Sequence, residues 1–208
     1  VTAGGTREPI DPVRVISNRS SGKQGFALAT AASARGARVT LVSTVDRDPH
    51  PGVEVVHVES AADMQAAVMP LSADADVIVM AAAVADFMPA EVAGDKIKKG
   101  DGLDAIPLTP THDFLVDLGQ RKPEGQTLVG FAAETQDLEA NARGKLERKN
   151  LDLIVANDVS MENVGFAHDT NEVLILTRTG RRAVALTSKR AIADAVFDAV
   201  IATRTNAS

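Results

Sequence analysis

Cysteine, tryptophan and tyrosine are absent from the sequence, and phenylalanine alone supplies its 3% of aromatic residues. No disulfide framework or thiolate metal site is therefore possible, and few platforms exist on which the bases of a single strand could stack. The net charge of −6 also disfavours a nucleic-acid partner, whose phosphates need a basic surface. There is no signal peptide and no uninterrupted apolar run of about 20 residues, so a cytoplasmic protein without a membrane partner is expected.

Several ligand motifs are missing as well. Ile16 to Gly25, ISNRSSGKQG, contains a Gly-Lys step, but a P-loop requires G-x-x-x-x-G-K-[ST]. Here Ser17 and Gln24 occupy the first glycine and the hydroxyl positions. The dinucleotide fingerprint G-x-G-x-x-G is absent, since Gly4 and Gly5 are followed by Thr6, Arg7 and Glu8, and Asp46 is a lone candidate for a ribose-binding acid. No G-x-S-x-G elbow occurs, and His50, His57, His112 and His168 show no metal-ligand spacing.

What is present is the composition of a soluble globular domain, 45% hydrophobic and 24% charged over 208 residues, enough for one sizeable core. Apolar, β-branched runs recur at 37–43, 53–58, 76–82, 127–133 and 152–157. They are continuous, as expected of parallel strands covered on both faces. Between them, 22–35 is Ala-rich and stops at Gly36, and Ser60 with Asp63 makes a capping box ahead of Met64, Val68 and Leu71. Leu138, Ala142 and Leu146 form a stripe after a potential Asp137 cap on a helix that ends near Asn150. The alternation predicts an α/β fold: a Rossmann-like, doubly wound, mainly parallel sheet with helices on both faces. At 172–187 a C-terminal antiparallel hairpin extends the sheet, followed by a Ser188-capped helix carrying Ile192, Val196 and Val200. Residues 84–110 and 158–171 read as long irregular loops, which in a compact domain are usually functional or mobile. The opening VTAGG meets a Gly-Gly turn after three residues, so residues 1–208 read as a single domain cut from a longer polypeptide.

In an open α/β sheet, ligands gather outside the carboxyl ends of the strands, where AGGTREP, AAAVADF, GFAAET and ANDVS fall. NRSSGKQG leads into the first long helix, whose N–H groups and dipole suit an anion, although Ser-Ser-Gly could equally be an ordinary cap. KIKK is either a solvated charged segment or an anion clamp, and Asp86 either caps a turn or faces a ligand. Lys145 and Lys149 would by default be surface residues one helical turn apart, and Phe131 would by default be core. Residue patterns alone stop at an anion-binding α/β domain. A dinucleotide-dependent reductase and a non-catalytic nucleotide-binding or assembly domain stand as rivals to an enzyme of another class.

Taken in order, TAGGTREPIDPVRVISNRSSGKQG, AAAVADF, KIKK, THDFL, GFAAET, KLERKNLDLIVAND and GF...N resemble the phosphopantothenoylcysteine synthetase family over essentially the whole chain. The resemblance implies a CTP-dependent, Mg2+-requiring ligase of coenzyme A biosynthesis. It would join 4'-phosphopantothenate to L-cysteine through an acyl-cytidylate, releasing pyrophosphate and CMP. The resemblance also implies a homodimer whose site is completed across the interface, and an N-terminal flavin-dependent decarboxylase domain in the full-length bifunctional chain. Position by position, Asn18 matches the family's catalytic asparagine, expected to donate an amide hydrogen bond to the intermediate. Lys96, first of KIKK, matches the catalytic lysine on a flap that excludes water. Nucleotide contacts carry over to Ala81, Ala82, Asp86, Lys96, Phe131, Lys145 and Lys149, and to a helix start formed by His112, Asp113, Phe114 and Leu115. Substrate or phosphate contacts carry over to Gly4, Gly5, Asn18, Ser20, Ser21, Gly22 and Ala83; no metal ligand carries over. His112 stands where the family often has proline, a change that preserves backbone contacts and gives the imidazole no inherited role.

Overall fold

The computed structural model describes residues 1–99, 104–134, 136–158 and 168–205. Gly165 and Phe166 of the GF...N motif, Thr135, residues 100–103 of the lysine-rich loop and most of 158–171 lie outside them. The chain runs β1 (Thr2–Ala3), β2 (Arg7–Pro9), β3 (Val15–Ser17), α1 (Lys23–Ala34), β4 (Val39–Ser43), β5 (Val53–His57) and α2 (Ala61–Leu71). It continues through β6 (Val77–Met80), β7 (Phe87–Pro89), β8 (Leu108–Pro110) and α3 (Phe114–Arg121). The last elements are β9 (Thr127–Glu134), α4 (Leu138–Arg148), β10 (Leu153–Asp158), β11 (Thr170–Thr177), β12 (Arg181–Ser188) and α5 (Lys189–Thr205).

The central sheet has the order β12-β11-β10-β9-β6-β1-β4-β5. From β5 to β10 every neighbouring pair is parallel. Winding proceeds outward from β1 through β4 to β5, then returns to β6 and continues the other way. The reversal lies between β1 and β6, where an open α/β sheet leaves a crevice. β11 and β12 are the expected antiparallel hairpin, joined to β10 with Leu153 opposite Thr177.

Alternate residues explain why the strands read as continuous apolar runs. In β10, Leu153 and Val155 enter one core, with α1 and α5, while Ile154 and Ala156 enter the other, with α2, α3 and α4. Both faces of the sheet are thus covered. The Ser60–Asp63 capping box forms as predicted, and bonds from the Ser60 backbone N–H and hydroxyl hold the Asp63 carboxyl below its ordinary range. Ser188 accepts from the Ala191 N–H at 3.2 Å, as its cap role requires, and Ile192, Val196 and Val200 are buried.

Three expectations change. Asp137 occupies the position before α4 with φ of 47° and makes no side-chain cap bond, because that left-handed backbone turns the carboxylate away from the helix N–H groups. Leu71 is exposed, at the end of a helix that already contains Pro70. The region 84–110 is not wholly irregular, since β7 pairs antiparallel with β8, just as β2 pairs with β3. Among the described residues no helix is long and apolar enough to cross a membrane.

Gly25 is the tightest point between α1 and the sheet. A Cβ there would lie 2.5 Å from Ala3 Cβ and 2.7 Å from Thr2 O, so main chain would have to move. Gly144, exposed in α4, would place a Cβ in open space. Gly25→Ala is therefore expected to destabilise by about 1–3 kcal/mol through overpacking. Gly144→Ala should stabilise by roughly 0.5–1 kcal/mol through helix propensity. Urea unfolding of the two variants checks the opposite signs.

Candidate functional site

The site is built by continuing the parallel pairing of β1 and β6 past the ends of the strands. Ala83 N donates to Gly4 O at 2.8 Å and Thr6 N to Ala83 O at 3.2 Å. The Thr6 hydroxyl accepts from Ala85 N at 2.9 Å and the Thr2 hydroxyl from Ala82 N at 3.0 Å. These bonds hold AAAVADF against the first loop. Asn18 is fixed on top of it, its Nδ2 donating to the carbonyls of Ala83 and Val84, both at 3.2 Å. The two carbonyls settle the orientation of the amide. In this arrangement Nδ2 donates to main chain, and the other group of the amide, Oδ1, is an acceptor.

A cleft of about 590 Å3 opens here, within the range of small-molecule sites. One wall carries Ser20, Ser21, Gly22 and the first turn of α1, with Lys189 from the start of α5. Gly22 precedes α1 with φ of 73°, a conformation few other residues tolerate, and as a glycine it offers the helix no side-chain cap bond. Gln24 Nε2 donates to Lys189 O at 3.1 Å, tying the two helix starts together. Lys189 is only 7% exposed, and burial, reinforced by Lys23 nearby, lowers its ammonium pKa. Lys23 itself pairs with Asp169 at 2.6 Å.

The other wall belongs to α3 and α4. Lys145 pairs with Glu134 at 2.6 Å and Lys149 with Asp113 at 2.7 Å. Both lysines line the cleft together with Asp86, Thr111 and 112–115, so neither is a surface lysine of the ordinary kind. Phe131, between the walls, lines the cleft and also packs on the core beneath α1 and α5. Two buried side-chain oxygens, Gln24 Oε1 and Thr111 Oγ1, lack a hydrogen-bond partner among the described residues. Both border this cleft, as expected where a polar ligand supplies the missing partners.

The structure gathers Asn18, Ser20, Ser21, Gly22, Ala81, Ala82, Ala83, Asp86, His112, Asp113, Phe114, Leu115, Phe131, Lys145 and Lys149 around one cleft. Other expected site residues lie outside the lining, and several of the gathered ones have partners of their own. Gly4 and Gly5 are buried behind the wall, where Gly5 O accepts from the Thr44 hydroxyl at 2.8 Å; they support the loop and do not line the cavity. The Phe114 ring is buried and its N–H already donates to His112 O at 3.1 Å. His112 Nε2 lies 2.8 Å from Asp117 Oδ2 and is otherwise exposed. Lys96 is not brought to Asn18: it is exposed in a separate depression with Arg14, Ile97, Lys98 and Lys99. Lys23, Gln24, Asn157, Asn171 and Lys189 also line the cleft; Lys23 and Gln24 fall in the flagged NRSSGKQG and Asn157 in ANDVS, whereas Asn171 and Lys189 carry no local motif.

A doubly wound sheet with a lysine-lined cleft at its reversal point defines an open α/β domain with its ligand crevice at the topological switch point. The chain belongs to the family described as the DNA/pantothenate metabolism flavoprotein C-terminal domain, whose model matches residues 1–203. It is 52% identical to the coenzyme A biosynthesis bifunctional protein CoaBC of Bacillus subtilis (strain 168) over 184 residues, 88% of this chain and 45% of that protein. It is 48% identical over 214 residues to the CoaBC of Mycobacterium tuberculosis (strain ATCC 25618 / H37Rv), covering 97% and 51%. The chain thus spans about half the length of the curated relatives it matches. The crystal structure of a CoaBC C-terminal domain superposes with a TM-score of 0.81 at 39% identity, covering 96% of this chain and 91% of that one. A Cab2 mutant in complex with phosphopantothenate-cysteine shares the fold, with a TM-score of 0.76 at 20% identity, covering 99% of this chain and 85% of that one.

The pair formed by Lys23 and Lys189 is expected to bind inorganic phosphate. Lys189→Met should weaken that binding at least fivefold in a calorimetric titration.

Proposed function

We propose that this chain is the phosphopantothenate–cysteine ligase domain of a cytoplasmic bifunctional protein of coenzyme A biosynthesis, using CTP and Mg2+. In the relatives, the remaining half of the chain would hold the flavin-dependent decarboxylase. The observation that carries the reading is the division of one cleft into two cationic walls that meet at Asn18. The reaction brings two phosphate-bearing molecules together at one carboxylate, and the cleft offers a wall for each.

On this reading the triphosphate lies along the wall of Lys145 and Lys149, with Asp86 and the 112–115 turn toward the ribose and base. The phosphate of 4'-phosphopantothenate lies at Ser20, Ser21 and Gly22, beside Lys23 and Lys189. Its far end, the carboxylate, then reaches Asn18 and the α-phosphorus. The carboxylate oxygen attacks that phosphorus, the bond to pyrophosphate breaks, and the acyl-cytidylate forms. Lysines and helix starts suit this step because it needs positioning and charge neutralisation more than covalent help. The cysteine amine then attacks the acyl carbon, CMP leaves, and the amine proton passes to solvent or the departing phosphate. With Nδ2 donating to the Ala83 and Val84 carbonyls, Asn18 Oδ1 suits an acceptor that orients the incoming amine.

Among the described residues no three of His, Asp and Glu gather as a metal cage. Mg2+ would arrive with the triphosphate and keep most of its ligands from phosphate and water, with Asp86 a carboxylate of the cleft lining within that site.

Lys96 acts, on this reading, across a homodimer. Val13, Val15, Phe87, Met88 and Leu108 are exposed, and they cluster on the β2–β3 and β7–β8 ribbons, whose strands β2 and β7 pack together. An apolar patch of this kind marks a contact surface, and a second copy seated on it would bring the lysine loop to the partner's cleft.

Product formation, followed by mass spectrometry with each of the four nucleotides, is expected with CTP and at least tenfold slower with the others; no turnover with any would sink the ligase reading. Asn18→Ala or Lys96→Gln should cut turnover at least 100-fold, with acyl-cytidylate accumulating. Mixing and reassociating these two inactive variants should restore about a quarter of wild-type activity, since half of the dimers then hold one intact composite site. Phe87→Asp should give monomers in sedimentation velocity and abolish turnover.

A further inference from the structure

The Asp11 side chain is fully buried although it lies in a surface loop. Its Oδ1 accepts from Val13 N and Arg14 N, both at 2.9 Å. Its Oδ2 takes Arg14 Nε at 2.9 Å, a second bond from Arg14 Nη2, and Ile97 N at 3.2 Å. Ile97 belongs to a different loop, 86 residues further along the chain, and immediately follows Lys96. Arg14 Nη2 also donates to Ile97 O at 2.9 Å, so the pair grips both backbone groups of one residue. A third bond, from Ala93 N to Ile10 O at 3.0 Å, ties the same two loops together.

This grip is specific in chemistry. A carboxylate can accept from N–H groups on every side at once, whereas an amide or hydroxyl in its place would turn a donor toward another donor. The Arg14 guanidinium, with help from the backbone N–H groups, holds the Asp11 carboxyl well below the usual range despite its burial. The anchor therefore stays charged and intact across the neutral range. Nothing in the interior of the fold requires it, because Pro12 and Val13 are exposed and the 94–96 segment is too. What it secures is the backbone of a residue adjoining the lysine cluster Lys96, Lys98 and Lys99.

We propose that Asp11 is a positioning residue for Lys96: acting directly and through Arg14, it fixes the Ile97 peptide so that the Lys96 ammonium is presented to the reacting phosphate at one height and angle. The inference rests on the ligase reading for the role of Lys96, and not for the anchor itself. In the full-length protein, Asp11→Asn should lower kcat at least tenfold while KM for CTP and for the acid change less than threefold, with cysteine held saturating. Amide hydrogen exchange of 96–99 should accelerate at least tenfold, and exchange in β9 and β10 should stay unchanged. Asp11→Glu, which keeps the charge, should recover part of kcat. If Asp11→Asn does not fold, Ile97→Pro deletes the same N–H bond from the other loop and should give the same kcat loss. An active Asp11→Asn protein with unaltered exchange at 96–99 would overturn the anchor, as would a loss confined to KM. A wild-type protein without CTP turnover would instead overturn the ligase reading, leaving the exchange result to decide the anchor.

Discussion

The continued backbone pairing between the loops that leave β1 and β6 is the constraint on which the site depends. Two neighbouring parallel strands whose connections depart in opposite directions must leave a gap. Here the gap is floored by the bonds of Ala83 to Gly4 and Thr6, with threonine hydroxyls satisfying the N–H groups of Ala82 and Ala85. A floor made of small residues with no long side chains lets Asn18 descend until its amide meets main-chain carbonyls. Both cationic walls then follow from the layering of the fold, because α1 and α5 cover one face of the sheet and α4 the other. Their lysines arrive at the same crevice from opposite sides.

The fold was largely legible because its determinants are local. Runs such as DLIVAN alternate between two apolar cores, and that is visible as an uninterrupted apolar stretch. The two ribbons were not legible, for an equally local reason. Each strand has three residues, and Pro9, Pro89 and Pro110 sit in them, so composition there argues for loop. Their pairing is decided by what they pack against.

The candidate site divides the same way. Motif resemblance placed Asn18, Asp86, Lys145 and Lys149 near a ligand, but it carried no information on their partners. The direction of the Asn18 amide depends on two carbonyls 65 and 66 residues away. Lys189 looks from its sequence like the first residue of an ordinary capped helix, and becomes a buried cation only because α5 starts beside α1. Gly4 and Gly5 show the converse, since both are buried behind the cleft and outside its lining.

The ion pairs on the α4 wall have a consequence for turnover. Lys145 rests on Glu134 and Lys149 on Asp113, so a triphosphate seated there would exchange with carboxylates already in place. Such an exchange gives up part of the attraction that bare ammonium groups would supply. In return, on the proposed ligase reading, the carboxylates would take the lysines back once pyrophosphate formed, and a highly charged leaving product would meet competitors tethered beside it. The wall is thereby suited to letting go, which a site that must empty in every cycle needs as much as it needs to bind.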